Sequence, residues 1–187
     1  AQFLKEDYQG KLDERADDYI RRIVDACQRM QGLINDLLAY SRVDARSTPF
    51  RPVDLNDVYD DALVMLEASI EEVHAKITRD QLPMVRGDRA QLSQVLQNLI
   101  GNGVKYHGEA TPEVHVSAQA HNGGWRISVV DNGIGIDPQY HALVFEIFRR
   151  LHTQNEYPGT GIGLPVCRRI VDRHGGQIWV ESGEGRG

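Results

Sequence analysis

Cysteine is nearly missing from this chain: Cys27 and Cys167 are the only two, far apart and in no C-x-x-C pair. That fits buried free thiols in a reducing compartment, with the cytoplasm as the expected location. A basic excess is missing too. Twenty-one Lys and Arg face 27 Asp and Glu, a net charge of −6, so unaided binding to a nucleic-acid backbone is not expected. No apolar run approaches the roughly 18 residues that cross a bilayer, so no direct membrane contact is expected. Internal repeats and low-complexity stretches are also lacking. What remains is 187 residues, 41% hydrophobic and 26% charged, which is ordinary globular composition. One domain, or one domain with an appendage, can bury a core at this length without staples.

The chain divides near residue 50. Residues 1–9 suit the last turns of a helix, and Gly10 suits its stop. A second helical pattern runs from Leu12–Asp13 to about Arg46. Its apolar residues repeat by sevens in two rows: Ile20, Cys27, Ile34 and Ile23, Met30, Leu37. The rows are offset by three, like a and d positions of a heptad, and Val24, Leu33 and Leu38 widen the stripe. A wide seam fits a four-helix bundle, so a helical hairpin that forms a homodimer through residues 13–46 is expected. The alternative is a helix packed on its own domain.

Pro49 and Pro52 break the helix, and 47–53 reads as a linker into a short strand. Beyond it the signals alternate. Helices are expected at 56–74, with Val58, Ala62, Met65 and Leu66 on one face, and at 88–106, with Asp88 as N-cap and Leu92, Val95, Leu96, Leu99 and Ile100 inward. Two further helices are expected at 138–148 and 162–174. Strands are expected at 76–80, 113–120, 125–130 and 177–181, with a hairpin turn at His121–Gly124. The pattern predicts an α+β sandwich with helices on one face of a mixed sheet.

Four motifs carry chemistry. In Asn98-Leu99-Ile100-Gly101-Asn102-Gly103-Val104-Lys105-Tyr106, residues Asn98, Asn102 and Lys105 share a helix face. An amide oxygen suits Mg²⁺, and a lysine suits a phosphate oxygen. A solvated polar stripe is the competing reading. Asp131-Asn132-Gly133-Ile134-Gly135-Ile136-Asp137 follows a strand. A carboxylate at a strand end can accept from an exocyclic amine, and the glycines let the backbone approach a flat ring. It is not a dinucleotide fingerprint, because Pro138 stands where the third glycine belongs. Phe145-Glu146-Ile147-Phe148 alone suggests core packing. Gly159-Thr160-Gly161-Ile162-Gly163-Leu164 opens a helix and frees backbone N–H groups for an anion. No Gly-Lys-Ser/Thr follows, so it is not a Walker-type loop.

In this order the motifs NLIGNGVKY, DNGIGID, FEIF and GTGIGL resemble the N, G1, F and G2 boxes of two-component sensor histidine kinases. The stretches GKLDE and RMQGLINDLLAYSRV resemble their dimerisation helix, most like the phytochrome-related and PAS-linked kinases. The resemblance covers almost the whole chain. It implies dimerisation and histidine-phosphotransfer helices over 1–46, a linker over 47–53 and an ATP-binding domain over 54–187. That domain would be a two-layer α/β sandwich of the type shared with gyrase, mismatch-repair and heat-shock ATPases (the GHKL or Bergerat fold). The implied cofactors are ATP and Mg²⁺. Asn102 would ligate the metal, with Asn98 beside metal and phosphates. Lys105 and Tyr106 would approach the phosphates and ribose. Asp131 would bind the adenine amine, with Gly133, Gly135 and Ile136 shaping the pocket. Gly159, Thr160, Gly161, Gly163 and Leu164 would cover the triphosphate, and 149–158 would form a mobile lid from which Arg150 or His152 reaches the γ-phosphate.

The departures are informative. The family's acceptor histidine lies on the first dimerisation helix, before an acidic residue and a proline. Here the seven histidines begin at His74, and none has that context. The second helix would be about 50 Å long at about 1.5 Å per residue, against a stub of a partner. The chain is therefore expected to be a fragment that starts inside the first helix and stops before the last strand. Gly103 and Pro165 stand where the family usually has alanine. The other histidines are expected to be surface or packing residues. Taken together, the resemblance implies the catalytic part of a histidine kinase that passes phosphate to a histidine and onward to a response-regulator aspartate. An upstream sensor domain and a receiver domain are the implied partners. Asn98 favours this over the related ATPases, which carry a glutamate near that position to activate water. A non-enzymatic ATP-binding dimerisation module is the alternative.

Overall fold

A computed structural model describes residues 2–8, 10–45, 49–151, 157 and 159–183. Helix α1 (Gln2–Tyr8) turns at Gly10, which has φ +77°, into α2 (Glu14–Ala45). Asp13 caps α2 by accepting from the Ala16 N–H at 2.8 Å. Strand β1 (Arg51–Asp54) lies partly inside the stretch read as linker and leads into α3 (Leu55–Glu72). Then follow β2 (Lys76–Arg79), β3 (Met84–Gly87), α4 (Arg89–Lys105), β4 (Glu113–His121), β5 (Gly124–Asp131) and α5 (Gly163–Arg173).

β1 and β3 form an antiparallel ribbon, and β2-β4-β5 form a mixed sheet, parallel then antiparallel. The β4–β5 turn holds Asn122 and Gly123 at φ +46° and +79°, the two positive values a tight hairpin needs. Helices α3 and α4 cover the sheet. The core there joins Val58, Tyr59 and Ala62 of α3 to Leu96, Ile100 and Val104 of α4 and to Val114 and Val116 of β4. Asp88 caps α4 as expected, accepting from Ala90 and Gln91.

Several expectations are corrected. Met65 is 68% exposed, because the inward positions of α3 run 55, 58, 59, 62 and on through Leu66. No helix spans 138–148. Two 3₁₀ turns, Pro138–Tyr140 and Leu143–Phe145, stand there instead. The Asp137 carboxylate takes the Gln139 N–H, Glu146 is extended, and Phe148 sits at φ +64°, which together break the helical path. Phe145 is core, but Phe148 is 58% exposed. The stretch 177–181 forms no strand. Among the described residues β5 pairs only with β4, and the 177–181 segment lies near β5 through Arg126 over the Trp179 ring at 5.3 Å. β3 was not expected at all.

Helix α2 has two apolar faces. Leu33, Tyr40 and Val43 pack on Val95, Ile162, Val166, Cys167 and Ile170 of α4 and α5 and the turn before α5. The heptad residues Ile23, Met30, Ile34 and Leu37 stay about half exposed, while Ile20 is buried. The helix thus packs on its own domain by one face and leaves most of the heptad stripe exposed, with Ile20 and Val24 buried.

Candidate functional site

The C-terminal half of α4 forms one wall. Asn98, Asn102 and Lys105 follow each other at helical spacing, as expected. The Asn98 amide donates to the Gly163 carbonyl at 3.5 Å, so it touches the start of α5 directly. Asn102 is half-buried, and its side chain has no hydrogen-bond partner among the described residues. Lys105 donates from Nζ to the Tyr106 hydroxyl at 2.9 Å and lies 4.3 Å from that ring's centre. The same ammonium approaches the glycine loop: a Cβ on Gly159 would meet Nζ at 2.7 Å.

The end of β5 forms the second wall. One Asp131 oxygen accepts from the Gly133 N–H at 2.9 Å. Gly133 is wedged in, since a Cβ there would lie 2.5 Å from the Tyr106 carbonyl and 2.6 Å from Asp131 Oδ1. The Ile134 N–H donates to the same Tyr106 carbonyl at 3.0 Å. Thus the Asp131 loop and the end of α4 are tied backbone to backbone. Gly135 takes φ +74°, and the Ile136 N–H donates to the Ser182 hydroxyl at 2.9 Å.

The glycine loop and the first turn of α5 form the third wall. Gly161 has φ +73°, and a Cβ there would lie 2.9 Å from the Arg149 carbonyl. Gly163 and Leu164 open α5, and Pro165, in its first turn, is buried without loss because no helical acceptor faces that position. Beneath Asn98, burial pushes the Cys167 thiol up to about 12, which keeps it neutral and unreactive. Arg150 donates to the Tyr157 carbonyl at 2.8 Å, so here it braces the loop backbone. His152, with the rest of 152–156 and Pro158, lies outside the described residues.

Sequence reasoning missed four residues. Tyr157 packs on the Tyr106 ring at 5.0 Å and donates to the His107 carbonyl at 3.0 Å. Asn132 clamps Thr111 and Glu113 beside the Asp131 loop. Asp36 of α2 accepts from the Thr160 hydroxyl at 2.5 Å. Gln91 donates to the Val43 carbonyl at 3.0 Å, joining α4 to the end of α2. An Asn directly after a strand-end Asp is a readable turn signal for Asn132. The other three have partners remote in sequence, and nothing local signals them.

Three walls thus converge: an amide-lysine helix, a carboxylate with close-packed glycines at a strand end, and a glycine loop opening a helix. Comparison with known proteins gives the family. The family model for the histidine kinase-, DNA gyrase B- and HSP90-like ATPase matches residues 87–187, and that for the His Kinase A (phospho-acceptor) domain matches residues 1–46. Cyanobacterial phytochrome A from Nostoc sp. (strain PCC 7120) is 45% identical over all of this chain, which spans 24% of it. The catalytic domain of histidine kinase ThkA is 30% identical at a TM-score of 0.63, covering 74% of this chain and 90% of that one. Full-length ShkA in complex with AMPPNP is 29% identical at a TM-score of 0.69, covering 92% of this chain and 37% of that one. The chain belongs to the histidine kinase family, with a phospho-acceptor-type helical segment ahead of a GHKL ATPase fold. It spans about a quarter of the length of the curated relative.

Proposed function

We propose that this chain binds Mg-ATP and supplies the catalytic domain for transfer of the γ-phosphoryl group to a histidine, from which a response-regulator aspartate receives it. The observation that carries the reading is the contact of Lys105 with the glycine loop, at the same end of α4 that is tied to the Asp131 loop. One cation then faces the loop that resembles a phosphate cover, and one carboxylate faces where an exocyclic amine would sit. Tyr106 joins the two walls.

The donor set fits magnesium rather than a tightly ligated metal. Among the described residues no group of three His, Cys, Asp or Glu side chains could hold an ion. An ion held by the Asn102 amide oxygen, phosphate oxygens and waters matches the habit of Mg²⁺. When bound, it would neutralise charge on the phosphoryl oxygens. Lys105 adds a point charge there, and the glycine-loop N–H groups add oriented donors. Asn98 holds the start of α5 and so sets where those N–H groups point. A neutral imidazole is already a nucleophile, and no base for water stands at Asn98.

We divide the chain into a dimerisation segment over 1–46, a connection over 47–53 and the ATP-binding domain over 54–187. The matched helical segment and the exposed stripe of α2 support a homodimer. No described helix is long and apolar enough to cross a membrane.

Calorimetry with ATP, GTP and EDTA tests the nucleotide site. Asn102→Ala should weaken Mg-ATP far more than metal-free ATP, and Asp131→Asn should weaken adenine nucleotides. Equal affinity for ATP and GTP would remove the adenine assignment. Phosphoryl transfer is tested with a separate, nucleotide-incompetent partner carrying an acceptor helix, because residues 1–73 of this chain hold no histidine. Acid-labile phosphate should appear on that partner and vanish with Asn102→Ala.

A further inference from the structure

Thr160 stands in the middle of the glycine loop, yet its hydroxyl donates to Asp36 of α2 at 2.5 Å. The two residues belong to different segments of the fold, 124 positions apart. The contact is seated. The Thr160 methyl also faces Gly32 on α2, where a Cβ would lie at an ordinary 3.8 Å. Leu33, Tyr40 and Val43 fix that face of the helix on α4 and α5. Arg169 lies over the Tyr40 ring at 4.4 Å, and Gln91 holds the Val43 carbonyl. Asp36 is therefore held against the loop rather than swinging free in solvent.

We propose that Asp36 is a built-in competitor of the nucleotide's phosphate chain. This rests on the reading of the glycine loop as a phosphate cover. A hydroxyl has one proton to donate, so Thr160 cannot give it to Asp36 and to a phosphate oxygen at once. The carboxylate also sets a negative charge beside the loop, where it repels an anionic ligand. Docked α2 thus lowers nucleotide affinity in proportion to phosphate charge. Linkage makes the effect reciprocal: triphosphate binding loosens α2 from the glycine loop by the same factor. Nucleotide occupancy and the contact of α2 with the glycine loop become linked through this hydrogen bond.

The test compares the whole chain with Asp36→Asn, which keeps shape and loses charge, and with Asp36→Ala, which also loses the acceptor. Calorimetry should show ATP binding tightened about tenfold in Asp36→Ala, ADP less, and adenosine not at all. Asp36→Asn should fall between wild type and Asp36→Ala. Hydrogen exchange in nucleotide-free protein should quicken at Thr160 and Gly161 in Asp36→Ala, and in wild type adding ATP should quicken it along α2 around Asp36 while protecting the glycine loop. Unchanged exchange in the nucleotide-free variant, or equal tightening of adenosine and ATP, would overturn the proposal. If wild type binds no nucleotide, the ATP reading fails and takes the competition with it, while the exchange data still report whether the clasp exists.

Discussion

Gly103 in α4 lies against Asp131 at the end of β5, so closely that a Cβ on the glycine would come within 3.0 Å of the Asp131 Cβ. The same Cβ would meet the Val114 side chain at 2.7 Å. Alanine in a helix interior is ordinarily favoured over glycine by about 1 kcal/mol. Here overpacking opposes that gain, at about 1–3 kcal/mol. Gly103→Ala is expected to destabilise the domain by about 1 kcal/mol, read as a lower urea midpoint at unchanged slope. It should also weaken adenine nucleotides, because the carboxylate must move with its backbone. A variant that gains stability and keeps its ATP affinity would show that α4 and β5 can part without cost.

His174 is a packing residue, and both of its ring nitrogens are used. Nδ1 lies 2.8 Å from the Ile170 carbonyl, and the Asp88 N–H donates to Nε2 at 3.0 Å. The ring stacks on Phe50 at 4.3 Å and lies where a Cβ on Gly87 would reach Cδ2 at 2.9 Å. His174→Ala strands the Asp88 N–H and opens a void, while the Ile170 carbonyl keeps the His174 backbone N–H; the loss should be about 2–4 kcal/mol in chemical denaturation. Gly87→Ala should lose stability by displacing the same ring and the Leu92 side chain, which its Cβ would meet at 2.7 Å. In the double variant the two losses should fall short of their sum, since both act on the His174 ring.

Periodicity made α3, α4, α5 and the β4–β5 hairpin legible, because each buries one face at its own repeat. Asp88 marked the start of α4, and the NG pair marked the hairpin turn. The stretch 138–148 misled because its apolar spacing imitates a helix, while Asp137, extended Glu146 and the positive φ of Phe148 act against it. β3 is only four residues between Pro83 and its closing Gly87, too short for alternation to speak. At the site, the shared helix face of Asn98, Asn102 and Lys105 followed from spacing, while the roles proposed for them, for Asp131 and for the glycines came from the family resemblance. Asp36, Gln91 and Tyr157 were not. Their roles come from partners on other elements, which only the fold brings near.

Burial raises the Cys167 thiol from its ordinary 9.0 to about 12. Unfolding releases a thiol that ionises near 9, so the unfolded chain binds fewer protons than the folded one above that pH. The stability tied to this group is therefore full below pH 9 and lost as pH rises toward 12. Cys167→Ala should give a shallower alkaline loss than wild type, measured as denaturation midpoints across pH 8–11. A thiol reagent at pH 8 should reach Cys167 only after denaturant is added. Rapid modification of Cys167 in native protein would contradict its burial.

The two faces of α2 make separable predictions. Ile23 is 50% exposed and Leu37 is 47% exposed, and both lie on the stripe turned away from the ATP-binding domain. Tyr40 and Leu33 lie on the face that docks on it. If the stripe is the seam of a homodimer, its residues become buried on association. Truncation there should then cost about 2–5 kcal/mol per fully buried side chain. Ile23→Ala or Leu37→Ala should accordingly raise the dimer dissociation constant about thirtyfold or more in sedimentation equilibrium. Neither should change ATP affinity in the monomer, because neither touches α4 or α5. Tyr40→Ala should do the reverse: it removes the ring under Arg169 and loosens α2 from α5, changing nucleotide affinity with little effect on association. A protein that stays monomeric at tens of micromolar would sink the seam. Stripe variants that shift ATP affinity as much as Tyr40→Ala would show that the two faces act as one.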